Sequence, residues 1–273
     1  MTVSVVIAAH NESTVIGRCL SALREGGTDL DVTVVANGCT DDTAEVARRH
    51  EGVRVVELAE AGKAGALNAG DAVATSFPRV YLDADMALTG TQLQVIVTAL
   101  DEPGVLAATA VRRLVTRGSA LPVKGYYAIN NRLPLFRNAL FGRGVIALSK
   151  EGRARFETFP GVVADDLYLD SLFARGEKRE VPAVVSRVAA PRRTGDLVRR
   201  LARVRAGNRA LRSRSAGTRS AENSSWLRDV TLRRPWLLPA AVCYVAITAA
   251  AELRARRTTG WGRDESSRQA VAG

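Results

Sequence analysis

At 273 residues with 47% hydrophobic side chains, the chain carries enough apolar surface for one large domain, or a domain with a small appendage, and disorder throughout is excluded. Its formal net charge of +11 suits an anionic partner, whether nucleic acid, a membrane surface or a phosphorylated small molecule, and the sign alone does not choose among them. Cys19, Cys39 and Cys243 are too scattered for a disulfide framework or a zinc site, and His10 and His50 form no ligand cluster, which fits a reducing, cytoplasmic setting.

In chain order, short β-branched runs at residues 3–8, 32–35, 53–58 and 79–82 predict strands buried on both faces. The first leads straight into polar Asn11 and Glu12, a pattern unlike a secretory signal. Val15, Ile16, Cys19, Leu20 and Leu23 recur at helical spacing between strands, as do Leu93, Ile96, Val97 and Leu100 behind a Thr89–Gln92 capping box. This alternation predicts an α/β fold with a parallel sheet, whose ligands sit at the carboxyl ends of the strands, after Ala8, Val35 and Leu82. Beyond Val105 the alternation blurs, with strands expected at 106–111 and 145–148 and a helix over 166–175.

From Pro191 the composition changes. Arg192, Arg193, Arg199, Arg200, Arg203, Arg205, Arg209, Arg212, Arg214 and Arg219 face a single acidic residue, Asp196. Leu197, Val198, Leu201, Val204 and Leu211 recur among them at near-helical spacing and predict an amphipathic basic helix. The apolar run 236–251 is about 16 residues, about 24 Å as a helix against a hydrocarbon core of about 30 Å. A spanning helix, a membrane-surface helix and a helix docked on the domain all remain open for it. Disorder is expected from Thr258 onward.

Asp83-Ala84-Asp85 directly follows the strand residues Val80-Tyr81-Leu82 and sets two carboxylates at the sheet's ligand-binding edge. Two hard oxygen ligands there invite Mn2+ or Mg2+ to bridge a diphosphate; a solvated turn is the ordinary alternative. In Ala36-Asn37-Gly38-Cys39-Thr40-Asp41-Asp42-Thr43, Gly38 permits a tight turn and Thr40 is the expected helix cap. Asp41 and Asp42 then fall in the first helical turn, where the helix dipole favours them, and Asn37 is the expected ligand contact. Lys63 stands at a glycine-flanked helix start, where a phosphate would meet a cation and free backbone N–H groups, or it is an exposed surface lysine. Asp165 and Asp166, ahead of Leu167, Leu169, Leu172 and Phe173, offer a general base for an acceptor hydroxyl, or caps for the helix that follows.

Five segments in this order carry a resemblance: Val5-Val6-Ile7-Ala8-Ala9-His10-Asn11-Glu12, Asn37-Gly38-Cys39-Thr40-Asp41-Asp42-Thr43, Gly65-Ala66-Leu67-Asn68-Ala69-Gly70, Asp83-Ala84-Asp85 and Ala164-Asp165-Asp166. Together they resemble glycosyltransferase family 2, the large inverting GT-A group, over residues 2–186. The resemblance implies a GT-A Rossmann-like sandwich with a mostly parallel central sheet, here with a C-terminal basic and apolar helical appendage. It implies that Ala8, His10, Glu12 and Asn37 line the nucleoside pocket and that Lys63 and Asn68 lie near the donor. Asp85 would be the principal metal ligand, with Asp83 beside it facing the nucleotide sugar. Asp166, or else Asp165, would be the base, and two or three of Arg199, Arg203 and Arg205 would cover the diphosphate.

The implied reaction is metal-assisted direct displacement of one sugar from a nucleotide diphosphate to a hydroxyl acceptor, a small molecule or a lipid-linked one. Ala36-Asn37 stands where the family often has paired aspartates. UDP is the default donor nucleotide and GDP or another stays open, because an amide both donates and accepts. The Gln-x-x-Arg-Trp signature of processive synthases is absent, which favours single addition. The remaining arginines suit an anionic membrane surface at the cytoplasmic face. Nucleic acid is not expected, since residues 191–219 hold no aromatic side chain for stacking.

The expected organisation is a GT-A domain over 1–190, with a donor half at 1–104 and an acceptor half at 105–190. An arginine-rich segment at 191–234, an apolar helix at 235–257 and a tail at 258–273 would follow. A sugar-phosphate nucleotidyltransferase is the first alternative, and the absence of its glycine-rich basic loop after the first strand weighs against it. A catalytically inactive, membrane-associated nucleotide-sugar binder is the second, and the surviving carboxylates weigh against that.

Overall fold

The computed structural model describes residues 2–161, 165–214 and 224–257. Ala164, Arg219 and the tail expected over 258–273 lie outside the described residues. The elements run β1 (Val3–Ala9), α1 (Ser13–Arg24), β2 (Leu30–Asn37), α2 (Thr43–Arg48), β3 (Val53–Leu58), α3 (Lys63–Val73), β4 (Arg79–Asp83) and α4 (Gly90–Thr98). They continue β5 (Ala107–Val115), α5 (Leu121–Asn130), β6 (Val145–Leu148), α6 (Lys150–Arg153), α7 (Asp165–Leu172), β7 (Lys178–Ala189), α8 (Thr194–Arg214) and α9 (Leu238–Arg257).

One seven-stranded sheet has the order β3-β2-β1-β4-β6-β5-β7. The first four are mutually parallel, and β6 runs antiparallel to both β4 and β5. The chain thus takes the Rossmann-like α/β layering of a GT-A fold, with helices packed against the faces of a mixed sheet. The parallel register sets Ala8 of β1 opposite both Val35 and Asp83, so the loops leaving β1, β2 and β4 emerge side by side at one edge.

The residues that predict the first strands are the ones that fill the core. Val3, Val5, Ile7, Val34, Val80 and Leu82 are buried with Ile16, Cys19, Leu20 and Leu23 of α1 and with Leu93, Ile96 and Val97 of α4. The Thr89 box is formed: its hydroxyl accepts from the Gln92 N–H at 3.2 Å, and the Gln92 side chain accepts from the Thr89 N–H at 3.0 Å. On the other face Val6, Leu67, Tyr81, Ile146 and Leu148 pack with Phe156, Phe159, Leu169 and Phe173.

Beneath that second face lies a polar strut. The Asp71 side chain, 5% exposed, bonds Arg79, accepts from Arg153 Nε at 2.6 Å and accepts from the Tyr81 hydroxyl at 2.9 Å. One carboxylate thereby holds α3, β4 and α6 together.

The chain divides into two compact units, residues 1–112 with 140–186, and residues 113–139 with 187–273. This division cuts across the expected halves, because residues 113–139 associate with the C-terminal segments. In the second unit Val123, Tyr126 and Tyr127 of α5 share a cluster with Leu197 of α8 and Ile247 of α9. Tyr126 stacks on Tyr244 with ring centroids 5.1 Å apart, and a Cβ on Gly125 would meet the Cys243 side chain at 3.1 Å. Residues Pro235–Arg256 make 22 residues, long and apolar enough to cross a membrane by length and composition. Within its unit α9 rests one side on α5 and α8.

Replacing Asp71 with Ala would leave Arg79, which is 4% exposed, with its guanidinium buried beside no carboxylate. The expected loss is about 3–5 kcal/mol of stability, read from urea unfolding, against less than about 0.5 kcal/mol for an exposed control such as Glu51→Ala.

Candidate active site

The loops leaving β1 and β2 are laced together by side-chain-to-backbone bonds. Asn37 donates from Nδ2 to the Ala9 carbonyl at 2.8 Å and accepts at Oδ1 from the Gly62 N–H at 3.0 Å. Its amide therefore ties three loops, and little of it remains for a ligand. His10 Nδ1 lies 2.7 Å from the Asn37 carbonyl oxygen. Gly38 has φ +57°, and a Cβ there would meet the Ala61 backbone N at 2.6 Å, so both conformation and space require glycine.

Thr40 does not cap the following helix. Its N–H donates to Asn11 Oδ1 at 2.7 Å, while α2 begins at Thr43. The Thr43 hydroxyl accepts from the Glu12 N–H at 2.7 Å. Asp41 accepts from the Thr43 N–H and the Ser13 N–H, each at 3.2 Å. Partial burial raises its carboxyl, and those bonds outweigh that effect and hold it below the ordinary value. Asp41 thus serves the loop, and neither it nor Asp42 falls in the first helical turn expected of them: α2 starts at Thr43, with Asp42 at its N-cap and Asp41 ahead of it.

At the end of β4, the Asp83 N–H donates to the Gly144 carbonyl at 2.8 Å and the Met86 N–H returns to the Asp83 carbonyl at 3.1 Å. In this turn Ala84 is buried in the core while Asp85 is exposed and Asp83 is half-buried. The Asp-x-Asp spacing thus sinks its middle residue and leaves a carboxylate on either side at the sheet edge. Lys63, the first residue of α3, donates from Nζ to Asp83 Oδ1 at 2.8 Å and pairs with Asp165 Oδ2 at 3.1 Å. Burial would lower its pKa, but Asp165, Asp83 and Asp166 dominate and hold the ammonium well above the ordinary lysine range. It is therefore a half-exposed lysine held by two ion pairs.

Asp165 is only 13% exposed, and burial pushes its carboxyl up to about 6; Lys63 pulls the other way, with Asp166 and Asp83 adding to the rise. Asp166 accepts from the Gly142 N–H at 2.7 Å and from the Leu167 N–H at 2.8 Å. Lys63, Asp83, Asp165 and Asp166 line one cleft with Gly144 and Leu169.

Asn68 ties α3 to the segment that carries Phe159. Its amide donates to the Phe159 carbonyl at 3.1 Å and accepts from the Phe159 N–H at 2.7 Å. Ala8 lies in β1 opposite Asp83, and Glu12 immediately precedes α1. Arg199, Arg203 and Arg205 belong to α8 of the second unit, where Arg199 pairs with Asp196 and Arg205 lies 3.7 Å from Glu252.

Sequence reasoning passed over Asp170. It accepts from the Leu140 N–H at 2.8 Å and from Lys178 Nζ at 2.8 Å, holding in place the loop that carries Gly142. Its only signal was a position one helical turn beyond Asp166.

Among the described residues, no group of three or more His, Cys, Asp or Glu side chains is gathered to hold a metal ion. Two carboxylates on an exposed turn, with no soft ligand, instead fit a hard divalent cation that completes its shell with substrate phosphates and water.

Sheet order and the placement of the ligand edge together define the class, a GT-A fold. Residues 4–148 match the model of glycosyl transferase family 2, and the chain belongs to that family. An uncharacterized glycosyltransferase of Mycobacterium tuberculosis (strain H37Rv) is 37% identical over 113 residues, covering 41% of this chain and 50% of the relative. One of Nostoc sp. is 30% identical over 112 residues, covering 39% and 35%. These matches span between about a third and a half of the curated relatives' length.

Among solved structures, the mannosyltransferase PcManGT from Pyrobaculum calidifontis, in complex with GDP-Man and Mn2+, is similar at 27% identity with a TM-score of 0.62, covering 93% of this chain and 79% of that one. Glucosyl-3-phosphoglycerate synthase from Mycobacterium tuberculosis, in complex with phosphoglyceric acid, shares the fold at 24% identity and a TM-score of 0.54, covering 80% and 81%.

A carboxyl whose folded-state pKa lies above the unfolded one contributes stability that is whole below about pH 4 and lost as pH rises through about 6. The stability of the wild type relative to Asp165→Asn is therefore expected to fall over that interval by on the order of 2–3 kcal/mol. Urea unfolding between pH 4 and 7 measures it, and a pH-independent difference would place the Asp165 carboxyl at its ordinary value.

Proposed function

We propose that this chain is an inverting glycosyltransferase, moving a single sugar from a nucleoside diphosphate to a hydroxyl acceptor. The observation that carries the reading is the cluster at the sheet's carboxyl edge. An ammonium, Lys63, sits between Asp83, next to the Asp85 turn, and Asp165, next to the candidate base. A donor diphosphate brought to that edge would meet the Lys63 charge and the N–H groups that open α3.

Asp85 and Asp83 would hold a divalent cation, Mn2+ or Mg2+, which when bound supplies charge neutralisation for the leaving diphosphate. Asp166 is the proposed base. Two backbone N–H bonds fix its carboxylate at the cleft wall, whereas Asp165 is committed to Lys63. The Asp166 carboxylate takes the proton of the acceptor hydroxyl. The oxygen forms its bond to the anomeric carbon from the side opposite the diphosphate. The bond from that carbon to the phosphate oxygen breaks with its electron pair leaving on the diphosphate, so configuration inverts.

A UDP-sugar is the first donor proposed. A GDP-sugar is the second reading, supported by GDP-Man in the Pyrobaculum mannosyltransferase. With its amide taken up by Ala9 and Gly62, Asn37 is proposed to shape the nucleoside pocket through the loops it ties. His10, Glu12 and Ala8 line the same edge in this reading, and Asn68 positions α3 from below.

Asp85→Ala is expected to lower metal-dependent turnover by about a hundredfold or more with the unfolding midpoint retained. Asp166→Asn is expected to lower kcat by about 10²–10⁴ while calorimetric donor affinity holds. Asp165→Asn should instead alter donor affinity through Lys63. An active Asp85→Ala enzyme would remove the metal assignment. Retention of the donor's anomeric configuration in the product, read by NMR, would remove the single displacement.

A further inference from the structure

The outer face of α9 lacks the polar residues that a solvent-facing helix carries. From Leu238 to Leu253 every exposed residue of this helix is apolar: Leu238, Pro239, Val242, Val245, Ala246, Ala249, Ala250 and Leu253. Val242 is 69% exposed and Leu253 61%, and only 17% of the helix's most apolar window is buried. A core helix of a soluble domain would be mostly buried. Just before α9, Leu232 and Trp236 add exposures of 68% and 72%.

The charges around this face have one sign. Exposed Arg233 and Arg234 precede the stripe, and exposed Arg254 and Arg256 follow it. The one acidic residue of α9, Glu252, accepts from Arg209 of α8 at 2.8 Å, lies 3.7 Å from Arg205 and accepts more weakly from Arg256 Nε at 3.4 Å, so arginines outnumber it. Among the described residues nothing covers the stripe.

We propose that α9 is a membrane-surface helix, lying in the plane of an anionic bilayer with Leu238, Val242, Val245 and Leu253 among the acyl chains. Arg233, Arg234, Arg254 and Arg256 meet lipid phosphates, and Trp236 sits at the headgroup level. A perpendicular, spanning placement is disfavoured by what α9 packs against. It would carry α8, with Arg205 and Arg209, into hydrocarbon. A second copy of the chain is a poorer occupant, because the basic rims of two copies would meet. This inference stands apart from the transferase reading, since every residue it uses lies in the second unit.

Flotation of the full chain with phosphatidylcholine vesicles, and with vesicles containing phosphatidylglycerol, tests it. The wild type is expected to float at least about tenfold better with the anionic vesicles, to lose most of that in high salt and to be stripped by alkaline carbonate. Val242→Glu and Leu253→Glu change exposed positions. Each is expected to stay with the soluble fraction at an unchanged unfolding midpoint. Trp emission should shift to the blue on anionic vesicles, and Trp236→Phe should remove the shift.

Failure of the wild type to float overturns the proposal. So does flotation that resists carbonate, which would make α9 a spanning helix. A dimer in light scattering that the same Glu variants dissolve would give the stripe to a second copy and overturn it equally.

Discussion

Asp83, Asp165 and Asp166 line one cleft at the edge of the sheet, with Asp85 exposed in the turn beside it, and these like charges repel one another. Lys63 supplies the counter-charge. Its ammonium joins the end of β4 to the start of α7, two elements more than 80 residues apart in sequence, and it is itself set by the start of α3. A cation shared by two carboxylates is held more firmly than in a single surface pair, and of the two contacts the one to the largely buried Asp165 is the less screened by solvent. The same arrangement is poised for a change of partner. A diphosphate and a divalent cation arriving together would exchange Lys63's carboxylate neighbours for phosphate and hand Asp83 and Asp85 to the metal, conserving the charge balance of the edge.

The loops around this edge are set by neutral groups. Asn37 and Asn68 each spend both ends of an amide on backbone, the first tying the loops after β1 and β2 to residue 62, the second clamping Phe159 beneath α3. Both amides thus fix loop geometry at this edge. Loops already in place would cost no ordering if the proposed nucleotide binds there.

The parallel half of the sheet was legible because β1, β2 and β4 are buried on both faces; β3, expected to be buried likewise, is instead an edge strand, with Arg54 and Glu57 exposed. A run such as Val5-Val6-Ile7 has no competing reading when turn residues bound it. The capping box at Thr89 was equally clear, since Thr and Gln three residues apart can satisfy each other's backbone groups and do. The strand β7 was not, because Pro182 argues against a central strand; it is tolerated at the sheet edge, where one side of the backbone needs no partner. Helix α5 was missed for a related reason. Gly125 in its middle lowers helical propensity, and its value appears only when Cys243 packs against it. In the site, Asp83-Ala84-Asp85 could be read from its place after a strand. The pairing of Lys63 with Asp165 could not, since no local pattern links residues a hundred positions apart.

The central claim is that the Lys63 edge is a diphosphate site completed by a metal, and titration calorimetry of the full chain with UDP and with GDP, each with and without Mn2+, tests it most directly. The account predicts micromolar to millimolar binding of one of the two, dependent on Mn2+ and weakened about tenfold or more by Lys63→Ala. Binding of neither nucleotide, or binding indifferent to both Mn2+ and Lys63, would contradict it.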